Sequence, residues 1–170
     1  KTGTLTLGQH RVVDMLTIAG VSDDVALRLA AAVEQDAEHP VARAIVASAT
    51  ERGLQIPRAT GFRAIPGQGV EATVDGRALA DGGPNLLKTL GVEMPNELRE
   101  FTDRAAARGE SVAYQVENRR VMAAFAVADA IRPESAEAVR RLHEAGVEVA
   151  MVTGDSRAVA SEFARNGCDV

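Results

Sequence analysis

The chain has 170 residues, enough for one sizeable core or two small ones. Apolar residues make up 46% and charged residues 25%, as in ordinary globular proteins, while aromatics at 3% leave a core built mainly from aliphatic side chains. A net charge of −5, with basic residues gathered only in pairs such as Arg119-Arg120 and Arg140-Arg141, argues against nucleic acid as a partner.

The chain opens on Lys1-Thr2-Gly3-Thr4-Leu5-Thr6, where hydroxyls, backbone amides and a glycine suit phosphate handling; a solvated loop is the plain alternative. Residues 20–53 read as two helices. Val25, Leu29, Ala32 and Val33 give one apolar stripe behind Ser22 as N-cap, and Ala42, Ile45, Val46 and Ala49 give a second, closed by Gly53. Pro40 suits the first turn of the second helix, where its missing N–H costs nothing.

Residues 54–81 read as β-structure. A loose strand covers 56–65, Val70, Ala72 and Val74 alternate with polar residues, and Asp75-Gly76 signals a hairpin. Gly82-Gly83-Pro84 ends that segment and leads into a helix over 85–90. Pro95 opens another helix, to about 108. Strands over 112–117 and 121–127 flank the turn Asn118-Arg119.

After residue 132 the pattern changes to α/β. An amphipathic helix over 133–145 turns Ala138, Leu142 and Ala145 inward. Residues 147–152 form an apolar run expected as a buried parallel strand. Thr153-Gly154-Asp155 follows, at the strand-to-helix junction where open parallel sheets bind ligands and a helix N-terminus favours anions; an N-cap is the plain reading. The single cysteine, Cys168, has no partner for a disulfide or a metal. His10 and His143 read as unpaired and solvent-facing. The longest apolar run, residues 121–128, is far short of the ~20 residues that cross a bilayer, and there is no signal-peptide pattern, so a soluble segment without direct membrane contact is expected. Both ends look cut from a larger protein.

Two further motifs carry candidate chemistry. Glu34 and His39 are five residues apart and on one continuous helix would point about 140° apart. Pro40 disfavours helical geometry at His39, so a break over 37–39 lets both side chains face one pocket; otherwise His39 caps a helix and Glu34 is solvated. In Pro66-Gly67-Gln68-Gly69, a type II turn accounts for Gly67 but not for Gly69, and two glycines around one residue allow backbone to approach a flat ligand.

Taken in order, these segments resemble the heavy-metal subclass of P-type ATPases. Lys1-Thr2-Gly3-Thr4-Leu5-Thr6 is similar to that family's signature, which follows the phosphorylated Asp; here that Asp would immediately precede Lys1. The resemblance implies that Lys1, Thr2, Thr153, Gly154 and Asp155 serve phosphoryl chemistry. It implies that Glu34 and His39 recognise adenine and that Gly67 and Gly69 line its slot. Asp129-Ala130-Ile131-Arg132-Pro133 resembles the family's hinge segment. Gly82-Gly83-Pro84-Asn85 departs from the usual Gly-Asn by two intervening residues, so no role passes to Asn85.

The fold implied is an α+β nucleotide-binding domain, an antiparallel sheet flanked by helices, over 15–127. It would be inserted into a partial α/β haloacid-dehalogenase-like phosphorylation domain made of 1–14 and 128–170. The resemblance further implies ATP or ADP as ligand, Mg2+ in the intact enzyme, and the actuator and transmembrane domains of the same pump as partners. The setting implied is the cytoplasmic side of a bacterial plasma membrane. Copper is the expected cargo from overall similarity alone, no metal site is expected in this chain, and this segment alone is expected to be inactive. The alternative is a haloacid-dehalogenase-like phosphatase with a large cap.

Overall fold

A computed structural model describes residues 4–18 and 20–150, without the side chains of residues 130 and 131. The elements in chain order are β1 (Thr6–Thr17), α1 (Asp23–Glu34), α2 (Pro40–Glu51), β2 (Ala59–Ile65), β3 (Gly69–Val74), β4 (Arg77–Gly82), α3 (Pro84–Leu90), α4 (Asn96–Ala107), β5 (Ser111–Glu117), β6 (Arg120–Ile131) and α5 (Ser135–Glu144). Six strands form one antiparallel sheet in the order β1-β6-β5-β4-β3-β2. This is the antiparallel sheet with flanking helices expected from the sequence.

Two tight turns set the local strand order. Asp75 and Gly76 have φ of 50° and 77°, and Asn118 and Arg119 have φ of 49° and 60°. Two consecutive residues with positive φ give the turn whose twist matches paired antiparallel strands. The expected hairpins β3–β4 and β5–β6 follow.

Helices cover both faces of the central strands. Ala113 of β5 and Ala123 and Phe125 of β6 pack with Ala26, Leu27, Ala30 and Ala31 of α1 and Ile45 and Ala49 of α2. The alternate residues Tyr114, Val116, Ala124 and Ala126 turn the other way, onto Leu87 of α3 and Leu98, Phe101 and Ala105 of α4. A period of two along each strand divides the core into these layers. Alanines on α1 let it lie close between α2 and the sheet, and every residue from Ala26 to Glu34 except Arg28 is buried. Ser22 caps α1, its hydroxyl accepting from Val25 N–H at 3.4 Å, although Val25 itself stays 38% exposed.

Three expectations are corrected. Strand β1 was not foreseen: it is an edge strand, half of its residues exposed, with register shifts between Thr6 and His10 and between Val12 and Asp14. Bulges and exposure erase the alternation by which strands are recognised. On α5 the buried residues are Ser135 and Val139, while Ala138, Leu142 and Ala145 are exposed. Among the described residues the helix is buried only in its first turns, where Ser135 Oγ donates to Leu5 O at 2.8 Å. Residues 147–150 form no strand and Val147 is 47% exposed; no strand among the described residues lies beside them, and an apolar run becomes a strand only with a neighbour to pair with.

The boundaries expected near 14/15 and 127/128 fall inside β1 and β6, which pair from Thr17 with Ala123 to Thr6 with Ile131. No helix among the described residues is long and apolar enough to cross a membrane.

Candidate functional site

The break foreseen before Pro40 is present. Helix α1 ends at Glu34 and α2 starts at Pro40, with His39 extended at φ −69° and ψ 143°. His39 caps α2, its Nδ1 accepting from Val41 N–H at 3.2 Å. With Nδ1 used as an acceptor, a neutral imidazole carries its proton on Nε2 and presents that N–H as a donor. The cap reading of His39 is therefore correct as far as it goes, while its companion, a solvated Glu34, is not: Glu34 is 6% exposed.

Across from this break, Gln68 N–H donates to Ile65 O at 3.0 Å, closing the turn over Pro66-Gly67, and Gly67 takes φ of 71°. That is the type II geometry expected of Pro-Gly. Gly69 has a different reason from the one expected. A Cβ there would lie 2.1 Å from Asp81 O and 2.7 Å from Gly82 Cα. The space beside Gly69 belongs to β4, not to a ligand. Gly82, its register partner, is equally confined: a Cβ would lie 2.2 Å from Gln68 O and 2.9 Å from Leu86 Cδ2. The need at Gly82 was invisible until the pairing of the two glycines was known.

Strand β4 leaves the sheet at Gly82, opposite Tyr114, whereas β5 runs on through residues 111–113 with β6 alone beside it. A notch opens there, and a groove of about 720 Å³ occupies it. Glu34, His39, Gly67 and Gly69 all line this groove, together with Phe62, Asp81, Asn85 and Tyr114. Sequence reasoning missed Asp81. It lies in phase with buried Leu79 on β4, so an acid at a core-facing position was a readable signal. Asn85, left without a role from sequence, is exposed on the first turn of α3 and lines the groove too.

Electrostatics at this site favour neutral groups. Burial lifts the Glu34 carboxyl from an ordinary 4.5 to about 7. Asp81 is pushed well above the usual carboxylate range, by burial first and by the charge of Glu34 second. His39, on the exposed rim, is held below its ordinary value by partial desolvation of the ring, then by His10 and Arg43.

The remaining predicted residues lie elsewhere. Lys1, Thr2, Thr153, Gly154 and Asp155 are outside the described residues. Asp129 is at the far end of β6, where the Thr6 hydroxyl donates to its Oδ2 and His10 Nε2 stands 3.9 Å away. His10 is thus not solvent-facing: its side chain is 15% exposed and stands beside Asp129. Its strand packs under α2 and turns it inward. Arg132 Nε donates to Thr6 O at 3.2 Å in the same cluster. For Mg2+, which the resemblance implies, the described residues offer no cradle: no three His, Cys, Asp or Glu converge.

A protein-family model described as haloacid dehalogenase-like hydrolase matches residues 1–170. The chain belongs to the haloacid dehalogenase-like hydrolases. Its similarity to heavy-metal P-type ATPases, first seen in the motifs, is borne out by relatives of that type. It is 40% identical over 165 residues to "Probable copper-exporting P-type ATPase V" of Mycobacterium tuberculosis, covering 97% of this chain and 21% of the relative. It is 40% identical over 160 residues to "Copper-exporting P-type ATPase B" of Archaeoglobus fulgidus, covering 94% of this chain and 22% of the relative. The chain therefore spans about a fifth of the length of these curated relatives. Among solved structures, a zinc-transporting PIB-type ATPase in its E2.Pi state aligns with a TM-score of 0.74 at 35% identity, over 98% of this chain and 26% of that one. The catalytic domain of the CPx-ATPase CopB-B, whose structure concerns conformational changes upon nucleotide binding, aligns with a TM-score of 0.69 at 25% identity, over 98% of this chain and 56% of that one.

Proposed function

We propose that this haloacid dehalogenase-like chain is the ATP-binding cytoplasmic part of a heavy-metal-transporting P-type ATPase, with copper as the cargo. The convergence of Glu34, His39, Gly67 and Gly69 on one groove supports this reading most directly. A purine ring seated there meets the His39 imidazole at the rim, the Glu34 carboxyl within, and bare main chain at the Gly67–Gly69 turn. Copper rests on the names of the relatives, and ATP on the groove and on the nucleotide-linked neighbour.

In the intact pump, holding the base would aim the γ-phosphate at an Asp just upstream of Lys1. Catalysis of phosphoryl transfer rests on such positioning and on neutralising charge. Lys1, Thr2, Thr153, Gly154 and Asp155 would handle the phosphoryl group, with Mg2+ supplying charge neutralisation when bound. Residues 15–127 form the nucleotide domain in this reading. The strand pair β1–β6 crosses both boundaries and ties the nucleotide domain to the 1–14 and 128–170 pieces of the phosphorylation domain, which would face the actuator and transmembrane domains.

Titration calorimetry with ADP tests the reading. A shallow groove with few polar contacts predicts a Kd nearer ~1 mM than ~1 μM, or about −4 to −6 kcal/mol. His39→Gln should weaken binding while changing stability by less than about 1 kcal/mol, the scale of a helix cap. Unchanged binding with a large loss of stability would leave His39 a cap and nothing more.

A further inference from the structure

At the groove lies a set of buried polar atoms that find no hydrogen bond among the described residues. Asp81 is 1% exposed, and neither of its carboxyl oxygens has a hydrogen-bond partner among the described residues. Gln115, its register partner on β5, is equally buried, and its Nε2 also lacks a partner there. So does Gln68 Oε1, in the turn between Gly67 and Gly69. Asp81, Gln68 and Glu34 all line the groove.

The position is anomalous for a sheet. Asp81 follows Leu79 by two residues, so both face the layer where α1 packs, and Leu79 joins the aliphatic cluster with Leu29 and Val33. Valine or leucine would suit Asp81's place. A buried polar group without a hydrogen bond costs stability, and natural folds rarely leave one without a reason. Asp81 and Glu34 are both buried beside this groove, and burial together with the charge of Glu34 raises the Asp81 carboxyl well above its usual range, so the pair favours a retained proton. A protonated carboxyl offers an acceptor and an O–H donor side by side.

Adenine carries the complementary pattern, an exocyclic amine beside a ring-nitrogen acceptor. We propose that Asp81 is a base-reading residue of this groove and that, with Glu34, it selects purines bearing an exocyclic amine next to a ring nitrogen. This rests on the nucleotide reading above. The amine donates to a carboxyl oxygen, the retained proton is donated to the ring nitrogen, and no bond is made or broken.

The test is titration calorimetry of the whole chain at pH 7 with ADP and with purine riboside diphosphate, which lacks the amine. Wild type should prefer ADP by roughly tenfold, as sites built to bond a polar group discriminate against its absence. Asp81→Val should bind ADP roughly five- to tenfold more weakly and purine riboside diphosphate within about twofold of wild type. Asp81→Asn, whose amide offers the same acceptor and donor, should keep ADP affinity within about twofold. Where valine misfolds, Asp81→Ala carries the same expectations. Equal weakening of both nucleotides, or undiminished ADP binding, in the valine or alanine variant overturns the proposal. If His39→Gln loses ADP affinity and Asp81→Val does not, this proposal alone fails. If wild type binds neither nucleotide, the nucleotide reading fails and takes this one with it.

Discussion

Two aspartates are almost equally hidden in the sheet, and they differ in what surrounds them. Asp129, with a side chain 2% exposed, takes a hydrogen bond from the Thr6 hydroxyl and has His10 Nε2 at 3.9 Å. Around it, Ser135 Oγ donates to Leu5 O and Arg132 Nε donates to Thr6 O, so the groups that meet there are drawn from β1, β6, α5 and the residues that flank them. Asp81, 1% exposed, has no such bond among the described residues. One carboxyl fastens strands together. The other stands behind a groove where two glycines hold the main chains of β3 and β4 too close for any side chain between them. Burial alone does not separate a joint from a site; the origin of the bonding partners does.

The largest effect that would break this contrast is expected at the glycine pair. Gly82→Ala puts a Cβ 2.2 Å from Gln68 O, against backbone that cannot swing aside. It should cost about 3 kcal/mol in urea unfolding and distort the groove. A loss below about 0.5 kcal/mol would show that the two strands can separate without harm.

Next comes pH. The fold raises the Glu34 carboxyl from 4.5 to about 7, so the native state keeps a proton that the unfolded chain releases. The associated stability is complete below pH 4.5 and is lost as pH rises through about 7. Wild type should lose about 2–3 kcal/mol between pH 5 and 8 from this group, and Glu34→Gln should flatten that slope. An unaltered slope in the variant would place the titration elsewhere.

At the other cluster, Thr6→Val removes the hydroxyl bonded to Asp129 and should cost about 1–2 kcal/mol without changing ADP affinity. A change in ADP affinity would couple the two regions. The smallest effect is expected from His39→Ala, which should lower stability by about 0.5–1 kcal/mol through the lost cap.

Much of this was legible in the sequence because local chemistry decided it. Asp75-Gly76 and Asn118-Arg119 marked their turns, Pro40 marked the break that places His39 and Glu34, and Pro66-Gly67 marked the turn across the groove. What was hidden depends on partners distant along the chain. Strand β1 lacks alternation because it is exposed and bulged. Gly82 looks dispensable until Gly69 is set against it. Ala138, Leu142 and Ala145 form a stripe on α5, yet only Ser135 and Val139 find anything to pack on among the described residues. Asp81 could have been noticed as an acid in a core-facing phase, but its missing bonds are a property of the assembled sheet.

The most direct measurement is an ADP titration of isotopically labelled chain followed by amide chemical shifts. Shifts should concentrate at Glu34, His39, Gly67 and Gly69 and spread to Asp81 and Gly82. Shifts confined to residues 1–6 and 153–156 would contradict a base-binding groove and favour a phosphatase-type phosphate site.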